Sequence, residues 1–200
     1  MASGDPISAL RAALDRPGAE TSDHDLNPDF VLPEGRVLRP AAVLVPVYPG
    51  PRGLRLILTK RSSRLLHHPG QIAFPGGKVD AADAGPVEAA LREAQEEIGL
   101  PPELVEVLGI LPAHETVTGF TVTPVLGHVR GAFDPVPEPG EVEEVFDVPF
   151  AQVMEPARFA VQYRYWRGQR RYYYTVPYGP YYIWGATARI LRALADRVAP

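Results

Sequence analysis

The apolar positions of this chain recur with two periods. Ala41 to Val47 (AAVLVPV) and Leu54 to Arg61 (LRLILTKR) read as strands, and the intervening YPGPRG supplies the turn of a hairpin. LVEVLGIL (104–111), TVTPVLGHV (121–129), FAVQYRYW (159–166) and RRYYYTV (170–176) read as further strands, with Gly168 in the turn between the last two. Elsewhere the period lengthens to that of a helix. Ile7 to Leu14 predicts a short amphipathic helix, and WGATARILRALADRVA (184–199) predicts one packed on a sheet through Ile190, Leu191, Leu194 and Val198. Between them a helix is predicted over Pro86 to Ile98. Proline suits its first turn, where an N–H would have no partner, and Gly99 suits its cap. Val87, Leu91, Ala94 and Ile98 form its apolar stripe, the face expected to bury.

The remaining stretches are punctuation. Ser62 to Pro86 is rich in Gly, Pro and Asp and reads mostly as loop, while Pro101 to Pro102 and Pro135 to Pro139 are turn-rich rather than domain linkers. The polar arm Gly18 to Pro40 is expected to be poorly ordered. A chain of 200 residues fits one domain with a substantial core. The expected layout is an N-terminal helix and arm over 1–40, packed on or flexible beside an α/β domain spanning 41–200.

Composition narrows the function classes. The net charge of -4 argues against a general binder of nucleic acid or membrane surfaces, although a local basic patch is compatible with it. Cysteine is absent, which excludes disulfides and thiolate metal sites. No apolar run has the length of a membrane span, and the N-terminus lacks the pattern of a signal peptide, so the expected address is the cytoplasm. Lys60 and Lys78 are the only lysines; arginine carries the rest of the positive charge and suits bidentate phosphate contact.

One helix poses an electrostatic problem. ALREAQEEIGL (90–100) crowds Glu93, Glu96 and Glu97 into about one turn, where like charges repel by ~0.2–0.5 kcal/mol per pair. On the helical period they flank the apolar stripe and point at a common volume outside the core. A hard divalent cation such as Mg²⁺ would turn that repulsion into attraction, since it prefers oxygen ligands. The plain alternative is a solvated face, with Arg92 and Glu96 an ordinary i, i+4 pair. FPGG (74–77) just upstream lets a backbone approach a ligand closely, so a carbonyl there could add an oxygen.

A Gly-rich loop, an acidic segment and then REAQEEIG together resemble the Nudix hydrolase signature, in which a glycine and a spaced acid precede REUxEExGU, U being apolar. Arg92, Glu93, Ala94, Glu96, Glu97, Gly99 and Leu100 fill its second half. In the first half Asp83 stands where the family usually has Glu, and eight residues rather than seven separate it from Arg92. The partner of Arg92 is thus Asp83 or Asp80. This longer GGKxDxxD form is similar to the coenzyme A diphosphatase branch. LTKRSSRLLHHPGQIAFPGG (58–77) resembles that branch's motif LLTxR[SA]xxxRxxxGxxxFPGG, with Ile57 for Leu and Leu66 for Arg. GFTVTPV (119–125) and IWGATARIL (183–191) extend the likeness over most of 44–191.

The resemblance implies an α/β/α sandwich with a mixed β-sheet between helices, and metal-assisted attack of water on a diphosphate. Glu93, Glu96, Glu97 and the Gly77 carbonyl are the expected ligands of Mg²⁺ or Mn²⁺, with Arg92 orienting the carboxylates and one glutamate able to serve as general base. Glu144 in GEVEEVFDVPF is the expected supplementary ligand; Glu141 and Glu143 are alternatives, and an exposed acidic loop is the plain reading. The expected substrate is a small molecule, coenzyme A or an acyl-CoA, contacted by Arg61, Arg64 and Lys78. Another nucleoside diphosphate derivative is the alternative substrate, and a nucleotide- or RNA-binding module the non-enzyme one. YRYWRGQRRYYYTVPYGPYY (163–182) would suit stacking and phosphate contact, or equally a half-exposed hairpin. His67 and His68, being adjacent, point apart and suit a structural or substrate-facing role rather than joint ligation. A homodimer is left open.

Overall fold

Alternation along the longest strand sets the architecture. The computed structural model describes residues 5–30, 35–166 and 168–199; residues 31–34 of the arm and Arg167 of the aromatic and basic segment lie outside them. In chain order the elements are α1 (Pro6–Leu14), β1 (Thr21–Ser22), β2 (Arg39–Gly50), β3 (Gly53–Arg61), β4 (Ile72–Ala73), β5 (Gly76–Lys78) and α2 (Pro86–Ile98). There follow β6 (Val105–Ile110), β7 (His114–Glu115), β8 (Phe120–Val129), β9 (Val142–Pro149), α3 (Phe150–Val153), β10 (Ala160–Trp166), β11 (Gln169–Thr175) and α4 (Gly185–Val198). In β2, Ala41, Val45 and Val47 join the core beneath α1 and α4, while Ala42 and Leu44 join the core beneath α2. A strand covered on both faces must be apolar almost throughout, which is why AAVLVPV carries no charge.

Nine strands form one mixed sheet ordered β1-β7-β8-β2-β3-β4, with β5 added to β2, β6 to β8 and β9 to β3. β2 runs parallel to β8, with Leu44 opposite Val125, and β1 parallel to β7; the other pairs are antiparallel. With α2 on one face and α1 and α4 on the other, this is the expected α/β/α sandwich. In α4, Ile190, Leu191 and Leu194 are buried, a contribution of about 1.5–3 kcal/mol each.

Four expectations change in the structure. The buried face of α2 is Ala89, Ala90, Ala94, Glu97 and Ile98, with Val87 and Leu91 only half-buried. The alanines allow the helix to lie close over β2 and β5, and this rotation carries Glu97 inward. The segment 62–86 is not only loop, since it supplies the short strands β4 and β5. The acidic stretch after Gly140 is strand β9, paired with β3 from Arg55 opposite Pro149 to Lys60 opposite Glu144. Finally, the arm is tied to the sheet edge: Thr21 N–H donates to Ala113 O and Asp23 N–H to Glu115 O, both at 2.9 Å. Fully buried His114 fixes that junction, with Thr21 Oγ1 2.9 Å from its Nδ1 and Asp23 Oδ1 3.3 Å from its Nε2.

The β10–β11 hairpin forms a separate two-stranded ribbon. It is anchored to the body by the Asn27 side chain, which accepts from Tyr172 N at 2.8 Å and donates to Tyr172 O at 3.0 Å, and by a bridge between Thr175 and Trp184.

Candidate active site

The loop before α2 and the helix itself meet through two glycines. β5 pairs with β2, Gly76 opposite Val43 and Gly77 opposite Ala42, which lays the FPGG backbone directly beneath α2. A Cβ on Gly77 would fall inside the carboxylate of Glu93, and one on Gly76 would strike the backbone of Ala42 and Val43. Glycine is therefore required at Gly76 by the approach of backbone, whereas at Gly77 a side chain would have to displace the Glu93 carboxylate. Past the helix, Gly99 takes the left-handed cap (φ 68°), and Val136 and Glu138 donate backbone N–H groups to the carbonyls of Ile98 and Glu97 at 3.0 and 2.9 Å. The turn-rich loop thus fastens the C-terminal end of α2.

The three glutamates occupy three different environments. Glu97 is 5% exposed and accepts the Gly76 N–H at 3.0 Å through Oε2. Burial pushes its pKa up from 4.5 to about 7; the Gly76 N–H opposes the shift, and the charges of Glu93 and Glu141 add to it. Glu93 is half-buried, and burial raises its pKa against the pull of Arg92. Glu96 is exposed. The expectation that all three lie outside the core is thus corrected for Glu97.

Arg92 organises this cluster. Its Nε and Nη2 bind the two oxygens of Asp83 at 3.0 and 3.1 Å, its Nη1 binds Glu93 at 3.1 Å and Glu96 at 2.9 Å, and Nη2 also reaches the Lys78 carbonyl at 3.2 Å. Asp80 stands farther off at 3.8 Å. Asp83, rather than Asp80, is therefore the fork partner, and Asp80 instead donates its backbone N–H to Asp83 at 2.8 Å. The Arg92 guanidinium holds the Asp83 carboxyl below its ordinary range.

Residues 38–169 match the family model of the NUDIX domain. The chain belongs to the Nudix hydrolase family. It is 46% identical over 160 residues to the uncharacterized Nudix hydrolase NudL of Salmonella paratyphi B and of Salmonella newport, covering 80% of this chain and 83% of each relative. Among solved structures, the M. smegmatis Nudix hydrolase RenU is 28% identical with a TM-score of 0.50, over 60% of this chain and 83% of that one. A MutT/nudix family protein from Enterococcus faecalis, at 17% identity and TM-score 0.53 over 86% of this chain and 66% of that one, shares the fold. This Nudix hydrolase is therefore an enzyme acting on phosphoric anhydride bonds, built on the Nudix fold; no helix among its described residues is long and apolar enough to cross a membrane.

Of the other expected site residues, the Nudix hydrolase brings only some to the helix. Arg61 lies within electrostatic reach of Glu97 and lines the adjoining cleft with Gly76. Arg64 and Lys78 are exposed, and Lys78 touches the cluster only through its carbonyl. Glu144 is turned to another face, where it accepts the Tyr181 hydroxyl at 2.6 Å and pushes that phenol up to about 12. Glu143 pairs with Lys60 at 2.7 Å. The acid of this stretch whose charge reaches Glu93 and Glu97 is Glu141. Sequence reasoning missed Asp23, Arg164, Arg171 and Trp184, which line the same cleft from the arm, the hairpin and the start of α4.

Residues able to hold a divalent cation were tested against this geometry. The donor set is entirely oxygen, the Gly77 position leaves room for the Glu93 carboxylate, and Glu97 is a buried acid that, among the described residues, forms no ion pair and feels Arg61 only through its charge. These features fit Mg²⁺ or Mn²⁺. Among the described residues no three acidic or imidazole side chains are already drawn into one coordination sphere, as Glu96 is held outward by Arg92.

Proposed function

We propose that this Nudix hydrolase cleaves the diphosphate of coenzyme A and its thioesters, giving 3',5'-ADP and the 4'-phosphopantetheine portion. The observation that carries the reading is the junction made by the LTKRSSRLLHHPGQIAFPGG segment: its Arg61 and His68 line one cleft with Gly76, and Gly76 in turn binds Glu97. The stretch that resembles the coenzyme A diphosphatase motif therefore forms a wall beside the hydrolytic helix rather than a remote surface. Leu66, which stands where that motif has Arg, is 94% exposed, so its side chain adds nothing to the wall.

Glu93, Glu96, Glu97 and the Gly77 carbonyl would hold Mg²⁺ or Mn²⁺, which when bound neutralises phosphate charge and acidifies water. The chain's own residues do the rest. Arg92, locked in the fork of Asp83, fixes Glu93 and Glu96 and keeps two of the helix charges from repelling freely. Glu97, whose affinity for a proton is raised by burial, Glu93 and Glu141 are the carboxylates close enough to this volume to take the proton of the attacking water. Arg61 supplies positive charge on the substrate side of Glu97.

The test is a product assay with Mn²⁺ that compares coenzyme A, NADH, ADP-ribose and diadenosine polyphosphates. Coenzyme A should be hydrolysed with the highest kcat/KM, and 3',5'-ADP should accumulate with unit stoichiometry. A higher kcat/KM for any of the others would replace this reading with that substrate class.

A further inference from the structure

We propose that Arg164, Arg171 and His68 form a subsite for a phosphomonoester of the substrate, a phosphate that is not part of the hydrolysed anhydride. The proposal rests on the reading above, in which coenzyme A brings a 3'-phosphate on its adenosine, and it assigns that phosphate a place.

The three arginines of the cleft converge, among the described residues, without carboxylates in contact to balance them, while burial and the charge of Arg61 favour the neutral imidazole of His68, a hydrogen-bond donor beside them. Arg61, His68, Arg164 and Arg171 line the same cleft that reaches Gly76. Arg164 and Arg171 are direct partners in the β10–β11 register, so their side chains leave the ribbon on one face. Like charges placed opposite one another across a ribbon destabilise it, as the glutamates do on the catalytic helix. Among the described residues, the partners of Arg164 and Arg171 are not acids in direct contact. Arg164 stacks on the Trp184 ring at 4.7 Å, while Arg171 lies over Phe30 and Trp166 at 5.4 and 5.3 Å and reaches His24 Nδ1 at 3.5 Å. The acid on the cleft wall, Asp23, already accepts the Val117 N–H at 2.9 Å and lies 3.3 Å from His114 Nε2. Burial and the charge of Arg164 both disfavour the charged form of Arg171, with Asp23 opposing them. Buried Arg61 Nε has no hydrogen-bond partner among the described residues.

The geometry selects a phosphate over a generic anion. A guanidinium held over an indole face keeps its charge and leaves N–H donors for an anion, and the guanidinium fork can bind two phosphate oxygens at once. His68 takes φ 55°, the one left-handed non-glycine backbone among the described residues, and lines the cleft with Arg164. A terminal phosphomonoester carries more charge than the bridging phosphates of an anhydride or a nucleic-acid strand, so several converging cations favour it most.

Titration calorimetry on the full chain tests the assignment with two probes that differ only in the extra phosphate, 3',5'-ADP and 5'-AMP. 3',5'-ADP should bind about tenfold or more tightly, the worth of charge-assisted hydrogen bonds. Arg164→Gln, a change at an exposed position, should remove most of that preference by weakening 3',5'-ADP more than 5'-AMP, and Arg164→Lys should restore part of it. Equal affinity for the two probes in the parent chain, or a preference untouched by Arg164→Gln and by Arg171→Gln, would overturn the subsite. So would a short single-stranded RNA that binds more tightly than 3',5'-ADP through the same arginines. Coenzyme A hydrolysis in the same preparation separates the two readings. Hydrolysis with no probe preference removes the subsite alone, whereas an Arg164-dependent preference without coenzyme A hydrolysis keeps the subsite and removes coenzyme A.

Discussion

Replacing Glu97 by Gln should abolish turnover and at the same time stabilise the metal-free enzyme in mildly alkaline solution. The carboxylate is 5% exposed, and burial first, then the charges around it, lift its pKa from 4.5 to about 7. A group whose folded-state pKa exceeds its unfolded value prefers its proton in the folded state. The stability gained from that preference is complete below 4.5 and is lost as pH rises through about 7. At about 1.4 kcal/mol per pH unit, the ionised Glu97 withholds roughly 3 kcal/mol from the metal-free fold at pH 8. Gln retains an oxygen for the Gly76 N–H and carries no charge, so the variant should recover much of this, a rise in Tm of roughly 5–10 °C for a chain of this size. Urea titrations of parent and variant in EDTA at pH 5 and pH 8 isolate the effect, because every other titrating group is common to both. The variant should lead at pH 8 and match or trail the parent at pH 5. A variant that is less stable at pH 8, or an advantage of the same size at both pH values, would refute the argument from burial. Undiminished hydrolysis by the variant would refute, separately, the place of Glu97 in the site.

Asp83→Ala should lower kcat by about 10–100-fold by freeing Arg92, whereas Asp80→Ala, at the more distant contact, should change it little; steady-state kinetics on the two variants decides. Gly77→Ala places a methyl group where the Glu93 carboxylate lies, and should weaken Mn²⁺ binding by about tenfold or more in calorimetry while the circular dichroism spectrum is retained. Glu141→Gln removes a charge that raises Glu97, so the pH at which the metal-free enzyme loses stability should fall, and turnover should drop more than in Glu144→Gln, whose partner is Tyr181. Rising ionic strength should raise KM despite the net charge of -4, because the substrate meets the cationic cleft rather than the average surface; a KM that falls with salt would show that the overall charge dominates.

Local signals made the catalytic helix legible to the residue. Pro86 and Gly99 mark its ends, and the helix runs Pro86–Ile98. The paired strands about Gly50 to Gly53 were equally local. The burial of Glu97 was readable in part. On a period of 3.6 residues it lies about 60° from Ala94, no farther than Leu91 does, but its charge argued it outward. What decided its position was the small size of Ala89, Ala90 and Ala94 together with a backbone N–H waiting at Gly76, and the second of these lies on a different element. Strand β9 was hidden because Glu143 and Glu144 interrupt its apolar pattern at the start. The arm was illegible for a different reason: Thr21 and Asp23 are ordinary polar residues until His114, more than ninety positions away, is placed between them.

The two charged clusters of the enzyme are built by different means. The acidic one is assembled from a loop and a helix adjacent in sequence, and Arg92 offsets its more exposed members from within. The cationic one is assembled from segments far apart, the end of β3 with the loop after it and the aromatic hairpin, and its Arg164 and Arg171 are steadied by rings rather than by carboxylates. Rings hold a guanidinium in place without neutralising it, so the cleft keeps its attraction for phosphate. The boundary of the family match divides only the second of these clusters. Residues 38–169 contain the whole hydrolytic cluster together with Arg61, His68 and Arg164, whereas Asp23, Arg171 and Trp184 lie beyond its ends. A hydrolytic centre common to the family can therefore be retained while the groups around the cleft change, since Arg171 and Trp184 complete from outside the match a wall that Arg61, His68 and Arg164 begin within it.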